Sequence, residues 1–253
     1  EWAHSSSEWK SEELLAWLFN ESPGRDEVVI DDRWGKDTRS RHGGYFTTEY
    51  GEVGGDTKLN ADRKFEECRA IGASFGYNRN ETIDDYQSAY GLVCLLVNLV
   101  AKGGNLLLDI GPTADGRIPV IMQQRLVEMG DWLRVNGEAI YGTQPWKVHG
   151  EGPTQPAKGH AAERTQVFQP SDIRFTTKAG AIYAMCLALP TGSIRITSLG
   201  RSTAPTAGGI RSVGLLGSDE KLTWSQEADA LVVQCPRSFS SRHAITLKVE
   251  VNP

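Results

Sequence analysis

The sequence predicts an α/β region followed by an all-β region: a partial (β/α)8 TIM-type barrel leading into a β-sandwich. Three observations carry this expectation. Residues 87–143 run as apolar helix, double glycine, apolar strand, Pro-Thr-Ala-Asp-Gly turn and amphipathic helix. That order is the repeating unit of a parallel α/β barrel. Near Lys147 the spacing of apolar residues changes from three-and-four to two. Beyond it, seven short runs rich in β-branched and aromatic residues follow one another without helices, as in a sandwich. The expected division is 1–147 for the C-terminal part of the barrel, 148–170 for a linker or loop, and 171–253 for the sandwich.

The elements follow in order. Residues 12–20 place Leu14, Leu15, Trp17 and Leu18 at helical spacing, and Ser22-Pro23-Gly24 closes the helix. Residues 27–31, EVVID, read as a short strand entering a polar loop. Residues 87–102 form an apolar helix. Residues 105–111 read as a fully buried strand, because Leu106, Leu107, Leu108 and Ile110 are nearly continuous. In residues 118–136, Ile118, Met122, Leu126, Met129 and Leu133 share one helical face, and Gly137 is the stop. Residues 150–169, rich in Gly, Pro, Ala and Gln, read as loop. Strands are expected at 173–177, 181–189, 194–199, 212–216, 222–225, 230–235 and 244–251.

Composition narrows the function classes. The 253 residues are 39% hydrophobic and 23% charged with a net charge of -5, which argues against a nucleic-acid binder. The best apolar run, 92–101, is too short to span a membrane and contains Asn98. Cys68, Cys94, Cys186 and Cys235 are scattered, with no CxxC pair, and read as free thiols; the histidines are equally dispersed. No catalytic metal and no cofactor are expected. Asn20-Glu21-Ser22 and Asn80-Glu81-Thr82 fit the N-glycosylation pattern and favour a secreted or periplasmic setting. The first region holds about three strand–helix units, whereas a whole barrel needs roughly 250 residues. Open strand edges then call for an oligomer or a complementing N-terminal barrel half.

Reactive groups of such barrels lie at the carboxyl ends of strands. Asp31-Asp32-Arg33-Trp34 follows EVVID, and Arg33 there could hold a sugar hydroxyl or a carboxylate. The competing reading is a structural Asp–Arg pair with Trp34 as packing. Glu49 stands among aromatic and hydroxyl residues in a Gly-marked loop, where apolar surroundings would raise a carboxyl towards general-acid use; a solvated loop glutamate is the alternative. Glu66 lies in a third loop region with Phe75, Tyr77, Asn78 and Arg79, which offers a hydrophobic wall and hydrogen-bonding partners, or simply aromatic packing. Acidic and aromatic residues on consecutive strand-end loops suit a sugar site, without identifying a glycosidase.

VIDDRWG, GGYFTTEYG, FEECRAIGASFGYNRNE, LVNLVAKGGNLLLDIGPTADGRIP and MGDWLRVNGEAIYGT closely resemble, in order, motifs of family 29 glycoside hydrolases, the α-L-fucosidases. A weaker likeness continues through IYAMCLALPTG and VGLLGSDEKLTWS into that family's C-terminal β-sandwich. The resemblance implies retaining exo-hydrolysis of terminal α-linked L-fucose from glycans, without a cofactor. It matches Glu49 to the acid/base, with Glu66 as the rival because the position varies between branches. It matches Arg33, beside Trp34, to fucose binding and Phe75 to the wall near the sugar's methyl group. The family's nucleophile is an aspartate in a pattern like Asp-Gly-Glu-Trp, and Glu1-Trp2 looks like its tail. The expectation is therefore that the nucleophile lies upstream of residue 1 and that the chain alone is catalytically incomplete. Two other readings stand beside it: a non-catalytic carbohydrate-binding or accessory protein, and a compact enzyme that recruits Asp31 or Asp32.

Overall fold

The structure, a computed structural model, describes residues 3–49, 64–157, 160–203, 208–239 and 241–252. The chain divides into two units, Glu1–Arg69 with Gly104–Leu107, and Ala70–Gly103 with Leu108–Pro253.

In the first unit the expected helix is α1 (Ser11–Asn20), but Ser11 is its only buried residue. Leu14 and Trp17 are 51% and 49% exposed, so its apolar residues lack the cover that helical periodicity implies. The strand expected at 27–31 does not form. The Ile30 carbonyl accepts from Gly44 N at 2.9 Å and from Tyr45 N at 3.4 Å, and these contacts at one carbonyl do not make a ladder.

Two strands appear instead where loops were expected: β1 (Phe46–Glu49) and β2 (Phe65–Ala70). They pair in parallel, Phe46 with Phe65 through Glu49 with Cys68. In FEECRA the charges hide the alternation, yet Phe65 and Glu67 are buried while Glu66 and Cys68 are half-buried. Tyr50, the end of the TTEY motif, lies outside the described residues.

A third strand, β3 (Gly104–Asp109), completes a sheet of order β1-β2-β3. The expectation of full burial fails here: Leu107 is 49% exposed. Among the described residues β3 is the last strand of its sheet, and alternate residues face solvent as on any one-sided sheet. Among the described residues the strands do not close into a barrel.

The second unit holds α2 (Ala89–Ala101), begun by the Ser88 hydroxyl, which accepts from Gly91 N at 3.0 Å, and α3 (Val120–Asn136). Next come β4 (Gln144–Glu151) and the short α4 (His160–Arg164). The compositional change at Lys147 thus falls inside β4, and half of that strand and α4 occupy the region read as linker. The seven expected strands follow as β5 (Ile173–Lys178), β6 (Ala181–Cys186), β7 (Ile194–Ile196), β8 (Ile210–Leu215), β9 (Trp224–Gln226), β10 (Leu231–Val233) and β11 (Ile245–Val251).

They form two antiparallel sheets, β4-β5-β6-β11-β8 and β7-β10-β9. Phe175, Ile182, Leu215 and Leu247 of one sheet and Ile196, Leu231 and Val233 of the other belong to a single buried cluster, the core of a sandwich. β6 is buried at every residue. Its alternate side chains Ile182, Ala184 and Cys186 enter that core, while Ala181, Tyr183 and Met185 occupy the opposite face. The region of α3 bonds to this sheet: Trp132 Nε1 donates to the Ala244 carbonyl (2.8 Å) and Tyr183 Oη to Glu138 (2.7 Å). A sheet covered on both faces explains why β6 reads as a continuous apolar run.

Lys178 pairs with Ala181, leaving a two-residue hairpin loop in which Ala179 has φ 50° and Gly180 φ 80°. This loop wants Asn or Gly first, because an L-residue with a Cβ is strained at positive φ. Ala179→Asn is therefore expected to stabilise the protein by about 0.5–1 kcal/mol. A urea midpoint no higher than that of the wild type would count against this account.

Candidate functional site

The first unit assembles its polar site around the DDRW segment and the sheet. Paired strand residues share a face, so Thr47 with Glu66 and Glu49 with Cys68 put all four on one side. Thr48 and Glu67 lie on the other, where the Thr48 hydroxyl bonds the buried Glu67 and Arg69 pairs with the same carboxylate.

Arg33 reaches the first face. Its Nε donates to Thr47 Oγ1 at 2.8 Å and its Nη1 to Glu49 Oε2 at 3.2 Å, with both charged side chains less than a third exposed. The backbone N of Arg33 donates to Asp31 Oδ1 at 2.9 Å, which turns the chain at the start of the loop.

Asp32 holds this arrangement together and is itself completely buried. Its carboxylate accepts from Ser40 N (2.7 Å), Thr47 N (3.0 Å) and Thr47 Oγ1 (2.7 Å), with Arg39 Nε 3.7 Å away. These bonds commit Asp32 to structure and leave it a poor candidate for a nucleophile. Gly43 lets the loop close on this segment: at φ 113° it sits where a Cβ would lie 2.4 Å from the Asp31 carbonyl oxygen. Trp34 is half-buried and donates its backbone N to Thr38 Oγ1 at 3.1 Å, while its Nε1 is sealed without a hydrogen-bond partner among the described residues.

Glu66 differs from Glu49 in its surroundings. Burial pushes its carboxyl above the ordinary glutamate range, the Asp31 charge pushes the same way, and Arg33 opposes them. Burial also raises the Tyr45 phenol, with Glu66, Asp31 and Asp32 adding to it. Arg33, Glu49 and Glu66 are thus brought onto one face.

Phe75 belongs to the second unit, in the loop after β2, and is half-buried. Ser74 N donates to Glu81 Oε1 (2.8 Å) and Asn78 Nδ2 to Ser74 Oγ (3.2 Å), so this loop is tied by its own polar residues. Thr47, which bridges Asp32 and Arg33, was missed from sequence. Its only signal is that it stands two residues before Glu49, on the same side of a strand. Among the described residues there is no group of three His, Cys, Asp or Glu side chains fit to hold a metal. No helix among them is long and apolar enough to cross a membrane.

A family model for alpha-L-fucosidase matches residues 1–138. The chain belongs to that family. A model for the alpha-L-fucosidase C-terminal domain matches residues 168–250, the region of the sandwich strands. Rat tissue alpha-L-fucosidase is 35% identical over 98% of this chain and 50% of its own length. Rat plasma alpha-L-fucosidase is 40% identical over 90% of this chain and 46% of its own length. The crystal structure of Thermotoga maritima alpha-fucosidase with a mechanism-based inhibitor superposes with a TM-score of 0.72 at 32% identity, covering 95% of this chain and 48% of that one. The chain spans about half the length of the relatives it matches.

Two outcomes test this geometry. Asp32→Ala removes a buried carboxylate and orphans its donors, so it should cost about 3–5 kcal/mol. Asp31→Ala loses one exchangeable hydrogen bond and should cost about 0.5–1.5 kcal/mol. Denaturant midpoints that rank the two the other way would remove Asp32 from its central role.

The raised Glu66 carboxyl gives a pH signature. The folded protein holds this proton more tightly than the unfolded chain does. Its contribution is therefore neutral at low pH and turns unfavourable as pH rises from the ordinary carboxyl value to the raised one. Glu66→Gln should gain stability relative to the wild type across that window. Midpoints measured from about pH 4 to about pH 8 that stay parallel would contradict it.

Proposed function

We propose that this protein acts as a retaining exo-α-L-fucosidase on terminal α-linked L-fucose of glycans. The observation that carries the reading is the Arg33–Glu49 pair at 3.2 Å, on the sheet face shared with Glu66, inside the segment matched by the fucosidase family model. In this proposal Glu49 protonates the leaving oxygen and later activates water, as one carboxyl does in each step of a double displacement. Arg33 donates to fucose hydroxyls and keeps Glu49 oriented. Phe75 supplies an apolar surface for the sugar's methyl group, and Trp34 packs beside Arg33.

The α/β region is read as the C-terminal units of a (β/α)8 barrel. The parallel pairing of β1 with β2 and the order α2, β3, α3 support that reading. The attacking aspartate implied by the resemblance has no motif match within the 253 residues, and Glu1-Trp2 lies outside the described ones. The exposed apolar face of α1 favours a covering partner, either a complementing barrel segment or a second copy. A secreted or periplasmic setting belongs to the same proposal, and the exposed Asn20 and Asn80 accord with it.

A second reading is favoured by one observation: Glu66, the residue raised by burial, is the acid/base. Substitution in the protein as its source organism makes it separates the two. Glu49→Gly should lose activity on fucosides with poor leaving groups by about 100-fold or more, and far less on activated aryl fucosides. Azide should then rescue it, giving α-L-fucosyl azide with retained configuration. If Glu66→Gly shows this pattern and Glu49→Gly does not, the role passes to Glu66. Without fucoside hydrolysis by the wild type, the enzymatic proposal itself falls.

A further inference from the structure

The GGNLLLDIGP stretch ends its strand on a carboxylate to which neither the fold nor the reaction above gives work. Asp109 is the last residue of β3, and its carbonyl accepts from Ile71 N at 3.3 Å. Its side chain has an Oδ2 sealed from solvent with no hydrogen-bond partner among the described residues. Buried polar atoms are almost always bonded, so an orphaned carboxyl oxygen calls for an explanation. Burial alone raises this carboxyl above the ordinary aspartate range, with no charge partner contributing.

The neighbourhood points to the ligand class. Two residues on, Gly111 packs so tightly that a Cβ there would lie 2.6 Å from Tyr77 N and 2.7 Å from the Gly76 carbonyl carbon. The strand end carrying Asp109 and the aromatic loop of Phe75 and Tyr77 are therefore locked together within one unit. A carboxyl with an unused oxygen, on a strand end whose following turn packs on a loop bearing exposed and half-buried aromatic residues, suits saccharide recognition: rings for C–H faces, carboxyls for hydroxyls.

We propose that Asp109 is a further saccharide-binding group, whose half-buried carboxyl takes a hydroxyl of the bound glycan beside the Phe75–Tyr77 loop. The assignment rests on the fucosidase reading above. It is tested by comparing wild type, Asp109→Leu and Asp109→Asn, each purified from the source organism. Three quantities are measured: inhibition by L-fucose, KM and kcat on 4-nitrophenyl α-L-fucoside and an α-fucosyl disaccharide, and the thermal midpoint.

Asp109→Leu should weaken L-fucose inhibition, or raise the disaccharide KM, by about tenfold or more with a smaller change in kcat. The first result places the hydroxyl on fucose and the second on the rest of the glycan. Its thermal midpoint should equal or exceed that of the wild type, because an unsatisfied buried group has been removed. A structural role would lower that midpoint. Asp109→Asn keeps an oxygen at the site and should recover most of the lost affinity. Asp109→Ala, too small to clash, replaces the leucine variant if that does not fold.

Unchanged inhibition and unchanged KM in the leucine or alanine variant, with an active wild type, overturn the assignment. So does a fall in midpoint without a loss of affinity. A wild type that neither cleaves fucosides nor responds to L-fucose overturns the fucosidase reading itself, before any variant is compared.

Discussion

A charge removed from water costs least where the protein supplies its partners, and one such charge in each unit ties separate elements together. Asp32, wholly buried, collects the Ser40 and Thr47 amides, the Thr47 hydroxyl and the Arg39 guanidinium. Those partners come from the loop after DDRW and from β1, so satisfying one charge fastens the loop to the strand. Arg33 is the next residue, and its side chain meets Thr47 and Glu49 of that same strand. The catalytic-looking pair is thus a consequence of the buried one. The second unit obeys the same rule with the opposite sign. Arg174, 5% exposed, gives Nε to Asn98 of α2 at 2.5 Å and Nη1 to the Glu151 carbonyl of β4 at 3.2 Å. One cation therefore fixes a helix to two strands.

Strand parity then decides which groups can cooperate. The register of β1 on β2 places Glu49 and Glu66 on one face and sends Glu67 to the other, although Glu66 and Glu67 are adjacent in sequence. Glu67 is consumed by Thr48 and Arg69, a buried pairing that serves the sheet. A shift of the pairing by one residue would exchange these roles. The identity of the FEEC carboxylates says little about their work; their position modulo two says most of it.

The parts legible in the sequence were those whose pattern survives without context. Strands β5 to β11 were read from alternation and punctuation, because each buries its inward residues in the sandwich core. Helices α2 and α3 were legible because their apolar spacing is sustained over 13 and 17 residues. EVVID misled because β-branched residues lower the barrier to a strand but do not supply a neighbour to pair with. β1 and β2 were hidden for the converse reason: FTTE and FEECRA carry polar residues on the face that the Arg33 side chain meets. Leu107 was misplaced because an apolar run cannot reveal that its strand ends a sheet. Of the site, Arg33, Glu49 and Glu66 were visible as residue types, and the resemblance gave them roles. Thr47 and the priority of Asp32 depend on tertiary hydrogen bonds that no spacing encodes.

The two site carboxyls are chemically identical and are told apart only by their surroundings. Glu49 has a guanidinium in direct contact, whereas Glu66 has partial burial and the negative Asp31. Two carboxyls in unlike environments are the arrangement by which one fold runs acid and base chemistry at a single pH. Beyond the burial of Glu66, adjacent residues of one tetrapeptide act on both: Asp31 and Arg33 on Glu66, Arg33 on Glu49, with Asp32 anchoring the strand. The DDRW segment is therefore best understood as the part that makes the two glutamates different. Their unlike surroundings depend on the loop being held down, and so on the carboxylate that never meets solvent.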